Sequence, residues 1–146
     1  MTTVSASQLV YRSPKLGDVP YAPDDVLRFP QGLPGFERLR EFLLVTRDEC
    51  APFIFLASLE DPTVALPLLP LPAAALHLEA PSAALVPLGE TRAATVGYYA
   101  VVTIGPGARE ITVNLRAPVV VNLDTRRGCQ VILPDETLPL AAPLRV

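Results

Sequence analysis

Thr95-Val96-Gly97-Tyr98-Tyr99-Ala100-Val101-Val102-Thr103-Ile104, then the loop Gly105-Pro106-Gly107-Ala108-Arg109, then Glu110-Ile111-Thr112-Val113-Asn114-Leu115, is the stretch whose reading decides the fold. The first segment is dense in β-branched and aromatic side chains, which suit a pleated, half-buried surface. The last alternates polar with apolar, so Ile111, Val113 and Leu115 share one face. Together they predict a β-hairpin. Downstream, Pro118-Val119-Val120-Val121-Asn122-Leu123 and Cys129-Gln130-Val131-Ile132-Leu133 read as further strands around a turn at 124–128.

Upstream, Phe42-Leu43-Leu44-Val45 and Pro52-Phe53-Ile54-Phe55-Leu56-Ala57 are short apolar runs of strand length, each followed by a polar turn. Val64-Ala65-Leu66-Pro67-Leu68-Leu69 is another, and Pro67 confines it to an edge or a bulge. The periodic part begins at Val26-Leu27-Arg28-Phe29; residues 1–25 read as a loosely ordered lead-in with one short edge strand at Leu9-Val10-Tyr11. Between Pro70 and Gly89 the expectation is a strand at Leu76-His77-Leu78-Glu79 and one helical turn at Pro81-Ser82-Ala83-Ala84-Leu85. The fold class that follows is mostly β: a small antiparallel β-barrel over residues 26–146, a single domain, with at most one or two short helical turns. Closure is favoured because so apolar a sheet would otherwise present adhesive edges.

Composition agrees. Seventeen prolines in 146 residues remove helix interiors and favour short strands joined by rigid turns. Half the residues are apolar, enough for one core without metal or disulfide. Twelve basic against 15 acidic residues leave a net charge of −3, with no basic run. Direct nucleic-acid binding is therefore not expected, since affinity for phosphate comes from clustered Lys and Arg. Cys50 and Cys129 lie far apart with no CxxC spacing and read as buried thiols in a reducing compartment. Met1 to Ser7 shows no cationic start and no apolar core, and prolines interrupt every long apolar run. A cytoplasmic protein without membrane contact is the expectation.

Chemistry-bearing constellations are sparse. His77 is the single histidine, so neither a histidine metal site nor a His–carboxylate relay has partners in the sequence. No Walker-type loop or GxSxG is present, and Gly105-Pro106-Gly107 joins two strands where a phosphate cradle would open a helix. No catalytic residue, cofactor or metal is expected. The carboxylate pairs Asp24-Asp25, Asp48-Glu49 and Glu60-Asp61 fall in turns. Asn114 and Asn122 interrupt strands that disfavour Asn; they either meet a partner's backbone or, the preferred reading, bond neighbouring backbone at strand ends. Gln130 is either an outward residue or a buried amide satisfied by backbone.

Two segments resemble a known family. Phe29-Pro30-Gln31-Gly32-Leu33-Pro34-Gly35-Phe36-Glu37 resembles the opening motif of FliW proteins, a phenylalanine followed by a glycine-rich turn ending Gly-Phe-Glu. Ile111-Thr112-Val113-Asn114-Leu115-Arg116-Ala117-Pro118-Val119-Val120-Val121-Asn122 resembles their Thr-Val-Asn-Leu-x-Ala-Pro-x-x-x-Asn strand pair, and Gln130-Val131-Ile132-Leu133 follows where that family places a Gln-Val-Ile-Leu strand. Departures from the pattern occur at Ala57-Ser58, at Leu66-Pro67, at Leu76 and near Thr137-Leu138, and they keep the core apolar. The resemblance implies a cytoplasmic regulator that binds flagellin and CsrA, a small RNA-binding translational repressor, and relieves repression of flagellin synthesis by switching between them. The partner-binding candidates are the acidic turns Asp48, Glu49, Glu60 and Asp61, and the strand-end amides Asn114, Asn122 and Gln130. A small β-barrel enzyme binding a flavin or other nucleotide is the alternative, and an oligonucleotide-binding barrel stacking bases on Tyr98-Tyr99 a third.

Overall fold

The computed structural model describes residues 9–72, 80–90, 95–108 and 110–144, in which ten strands form. They are β1 (Leu9–Ser13), β2 (Gly17–Tyr21), β3 (Leu27–Arg28), β4 (Glu41–Thr46), β5 (Ile54–Ser58), β6 (Ala65–Leu71), β7 (Val96–Ile104), β8 (Ile111–Asn122), β9 (Arg127–Gln130) and β10 (Ala142–Pro143). Strands β3 to β9 pair in the order β8-β7-β6-β5-β4-β3-β9, and β9 returns to β8, so seven strands close a barrel. Each neighbouring pair in the ring is antiparallel except β3 and β9, which run parallel with Arg28 opposite Arg127. The expectation of an antiparallel barrel is corrected at this seam. The reason is arithmetic: directions alternating around an odd ring must repeat once before it closes.

The hairpin of β7 and β8 forms as expected, yet β8 continues through Pro118 where the sequence suggested two strands. The chain accommodates the proline with a wide bulge. Tyr99 pairs with Val119 and Val101 with Asn114, so Ala100 alone stands opposite residues 115 to 118. A bulge is where a residue without an N–H does least harm to a ladder.

Four residues satisfy the freed backbone. Asn114 Oδ1 accepts the N–H groups of Arg116 and Ala117, both at 3.0 Å. The N–H groups of Leu133 and Val131 donate to the carbonyls of Arg116 and Pro118 at 2.7 and 2.9 Å, while Leu115 N–H donates to Pro139 at 3.0 Å. Beyond it, β10 pairs with Thr112 and Val113.

Both faces of the wall are apolar. Leu27, Phe29, Leu33, Phe42, Leu56, Leu68, Val119 and Val121 fill the inside. Phe29, fully buried, meets Phe42 edge-on with ring centroids 5.1 Å apart. Burying such a ring stabilises by about 2–3 kcal/mol.

Outer clusters need covers. Residues 9–21, where one short edge strand at 9–11 was expected, form the two-stranded β1–β2 hairpin. It sets Tyr11 against Leu43, Val45 and Ala57, and Arg47 ties it down by donating to the Leu16 carbonyl at 2.7 Å. A 3-10 segment, Ser82–Leu88, lies over Val120, Cys129, Val131 and Leu133. It is longer than the one turn expected at 81–85. The other 3-10 turns among the described residues are Pro23–Asp25, Asp48–Cys50 and Pro106–Ala108. The expected strand at 76–79, with His77, lies outside the described residues.

The Phe-Pro-Gln-Gly-Leu-Pro-Gly-Phe segment is a tight reversal in which Leu33 bridges Phe36. Gly32 has φ +65°, and a Cβ there would fall 2.6 Å from the Glu37 carbonyl oxygen, so both conformation and space demand glycine.

Candidate partner-binding surface

The two acidic turns predicted from sequence sit at opposite ends of one strand pair. β4 and β5 are in register from Phe42 opposite Ser58 to Thr46 opposite Ile54. Asp48-Glu49 follows β4 at one end and Glu60-Asp61 follows β5 at the other, separated by about 13 Å of strand at 3.3 Å per residue. The structure does not bring them together.

Their environments also differ. Asp48 and Glu49 are exposed on a 3-10 turn, and among the described residues neither carboxylate bonds another group. Glu60 Oε1 accepts the N–H groups of Arg40 and Glu41 at 2.6 and 2.9 Å, satisfying the start of β4. Asp61 Oδ1 accepts the Thr63 hydroxyl at 2.6 Å and the Thr63 N–H at 3.0 Å, which together hold its carboxyl below the usual carboxylate range. Ser58 Oγ, fully buried, accepts the N–H groups of Glu60 and Asp61. The second acidic turn is thus heavily engaged in its own shape.

The three strand amides serve the backbone of this chain. Asn114 braces the bulge from within, and Gln130 Nε2 donates to the Ala117 carbonyl at 2.8 Å from the facing strand. These two converge. Asn122 stands apart, fully buried; its Nδ2 donates to the carbonyls of Leu88 and Glu90 at 3.1 and 2.9 Å, and its Oδ1 accepts Asp124 N–H at 3.0 Å. It fastens the covering 3-10 segment to the barrel wall.

Sequence reading missed a row of arginines at the closing seam. Parallel pairing sets Arg127 beside Arg28, and antiparallel pairing sets Arg28 beside Glu41. Arg28 Nη1 lies 3.2 Å from Glu41 Oε2, the arginine side chain largely exposed and the glutamate partly so. Arg40 joins them, its Nε donating to the Glu37 carbonyl at 3.0 Å. A depression of about 510 Å³ opens between Arg28, Pro30, Arg40, Glu41, Glu60 and Arg127. The signal available in sequence was Arg28 itself, standing between Leu27 and Phe29, whose inward alternation turns it out to solvent.

Among the described residues no cluster of His, Cys, Asp and Glu could hold a metal ion, and no helix is long and apolar enough to cross a membrane. Both cysteines are free thiols. Burial pushes the Cys129 thiol up to about 11, and its sulfur faces the Ala84 carbonyl. Because the thiolate is the reactive form, Cys50 is expected to react rapidly with a chromogenic disulfide reagent at mildly alkaline pH, and Cys129 only on unfolding. Two fast thiols in the native protein would contradict that burial.

The chain's residues 11–144 match the family described as FliW protein. The flagellar assembly factor FliW of Thermotoga sp. (strain RQ2) is 38% identical over 135 residues, covering 90% of each chain. That of Caldicellulosiruptor saccharolyticus is 32% identical over 133 residues, covering 90% of this chain and 87% of the relative. A crystal structure of the flagellar assembly factor FliW superimposes with a TM-score of 0.79 at 28% identity, covering 94% of this chain and all of that one. The bulge braced by Asn114, the turn that requires Gly32 and the seven-strand ring thus occur in a chain whose sequence and backbone agree with one family over nearly their whole length, and the chain belongs to the FliW family.

Proposed function

We propose that this chain is a cytoplasmic, non-enzymatic regulator that binds flagellin and the translational repressor CsrA in turn, and that capture of CsrA relieves repression of flagellin synthesis. The observation that carries this reading is agreement with the family across residues 11–144, including the segments at 29–37 and 111–122. Physically, the switch requires only that occupancy by one partner disfavours the other, through a shared or a coupled surface. No bound cofactor has a part in it.

The acidic contact for a basic, RNA-binding partner is assigned to Asp48 and Glu49, whose carboxylates stand exposed at the end of β4. Charge there steers association and repels competing phosphate. Calorimetry with the host's purified CsrA and flagellin tests the reading. Micromolar or tighter binding of each, with flagellin displacing CsrA, is expected; a chain that binds neither is no such switch. Asp48→Lys combined with Glu49→Lys is expected to weaken CsrA binding about tenfold, most strongly at low salt, because reversed charges at a rim slow encounter. Glu60 and Asp61 are poorer choices for that test, because replacing Glu60 frees backbone N–H groups at the start of β4 and replacing Asp61 undoes hydrogen bonds of its own turn.

A further inference from the structure

We infer that the barrel's closing seam is a second, oppositely charged docking surface, built to receive a carboxylate-bearing segment of a partner protein on Arg127, Arg28 and Arg40. Three strands bring these residues together from distant parts of the sequence: β9 supplies Arg127, β3 supplies Arg28, and Arg40 precedes β4. Their register puts Arg127, Arg28 and Glu41 in one row across the sheet, hence on one face.

The row is charged unevenly. Glu41 pairs with Arg28 at 3.2 Å, and the Glu60 carboxylate is occupied by two backbone N–H groups. Arg127, at the other end, is exposed and has no carboxylate or hydrogen-bond acceptor among the described residues. Arg126 follows the same turn, and its carbonyl accepts Arg28 N–H at 2.8 Å, holding the backbone of the seam in place. Its side chain lines a neighbouring depression together with Asp25. The 510 Å³ depression therefore carries three guanidinium groups against two carboxylates, in a chain whose net charge is −3.

A planar guanidinium fork matches a carboxylate in two parallel hydrogen bonds. Glu41 reaches Arg28 through one contact, Nη1 to Oε2, and the Arg127 guanidinium, unpaired among the described residues, is left with its whole fork for a partner's Glu or Asp. The internal pair is itself weakly held, since its two side chains are 70% and 40% exposed, and it can yield to an incoming acid. Phosphate fits a fork too, but this depression is flanked by carboxylates at Glu41 and Glu60, which favours a short peptide that places one acid on Arg127 over a nucleic-acid backbone.

The identity of the partner rests on the proposed switch; the chemistry of the seam does not. With Asp48-Glu49 at the far end of β4, the chain would show each of its two partners a patch of different sign. The test compares wild type with Arg127→Glu, against the host's flagellin, the host's CsrA, an oligoglutamate peptide and a single-stranded RNA. Flagellin and the peptide are expected to lose about tenfold in affinity, more at low salt, while CsrA, assigned to the acidic Asp48-Glu49 turn, keeps its affinity. Should neither protein bind wild type, the switch reading fails, and the seam is then judged on the peptide alone. Peptide binding that is absent, or unchanged in Arg127→Glu, overturns the seam proposal, as does RNA binding that vanishes in the variant. Arg127→Gln carries the same comparison if the charge reversal disturbs folding, which a thermal melt would show.

Discussion

Gly128→Ala is expected to destabilise the barrel by about 3 kcal/mol, lowering the melting temperature by about 6–12 °C for a domain of this size. An added methyl group would meet the Phe29 ring at 2.4 Å from Cζ and 2.7 Å from Cε2, closer than any real contact. The ring cannot step aside. It is fully buried, stands edge-on to Phe42, and is held from below by Leu27, Leu33 and the inward valines of β8. Gly128 pairs with Val121, so its own backbone is fixed by the ladder between β8 and β9.

Shrinking the ring tests the cause. Phe29→Leu alone loses aromatic packing, but combined with Gly128→Ala it is expected to cost less than the two changes summed, by about 1 kcal/mol or more. Simple additivity, or a Gly128→Ala protein that melts with wild type, would show that ring and glycine are not in contact.

Asn122→Ala is the second large effect, about 3 kcal/mol. The fully buried side chain makes three hydrogen bonds, and all three are lost at once. The Leu88 carbonyl keeps one donor, the Thr125 hydroxyl at 2.7 Å; the Asp124 N–H loses its acceptor on Asn122. Since Asn122 joins β8 to the Ser82–Leu88 cover, the damage is local in character. Amide exchange should quicken across residues 82–90 well before it does in β7 or β8.

Asn122→Asp is expected to be worse at neutral pH and milder in acid. A carboxylate there would point at two carbonyl oxygens, so folding favours its protonated form and raises its folded pKa. The penalty is absent below the unfolded value near 4 and grows as pH rises toward the folded one. A variant that is pH-indifferent, with cover exchange unchanged, would remove Asn122 from this role.

How much of this was legible in the residues depends on the distance over which each feature is decided. β7 and the first half of β8 were plain because β-branched density and alternation are local. Phe29 was recognisable as core for the same reason. The bulge was not, since Pro118 reads as a strand boundary unless one knows that Val131, Leu133 and Pro139 will bond the carbonyls and N–H groups it leaves over.

The β1–β2 hairpin was hidden by five-residue strands with Arg12, Asp18 and Pro20 on their wet side; its burial is set by Leu43 and Val45 on another strand. The acidic turns could be found by eye, but not their placement at opposite ends of β4 and β5. The arginine row had no compact motif at all: Arg28, Arg40 and Arg127 become neighbours only through the seam. Sites made by register across distant strands are invisible to spacing along the chain.

That seam has a consequence for the life of the molecule. Its two contributors are the earliest and latest members of the ring, so a nascent polypeptide cannot complete the circle before β9 has been made. Until β9 is made, β3 and β8 each lack a neighbour, and the greasy lining behind Phe29 stays wet. Pairings between such remote segments form slowly. The arginine row therefore forms only once β9 has joined β3, and a chain cut before Arg127 cannot carry it.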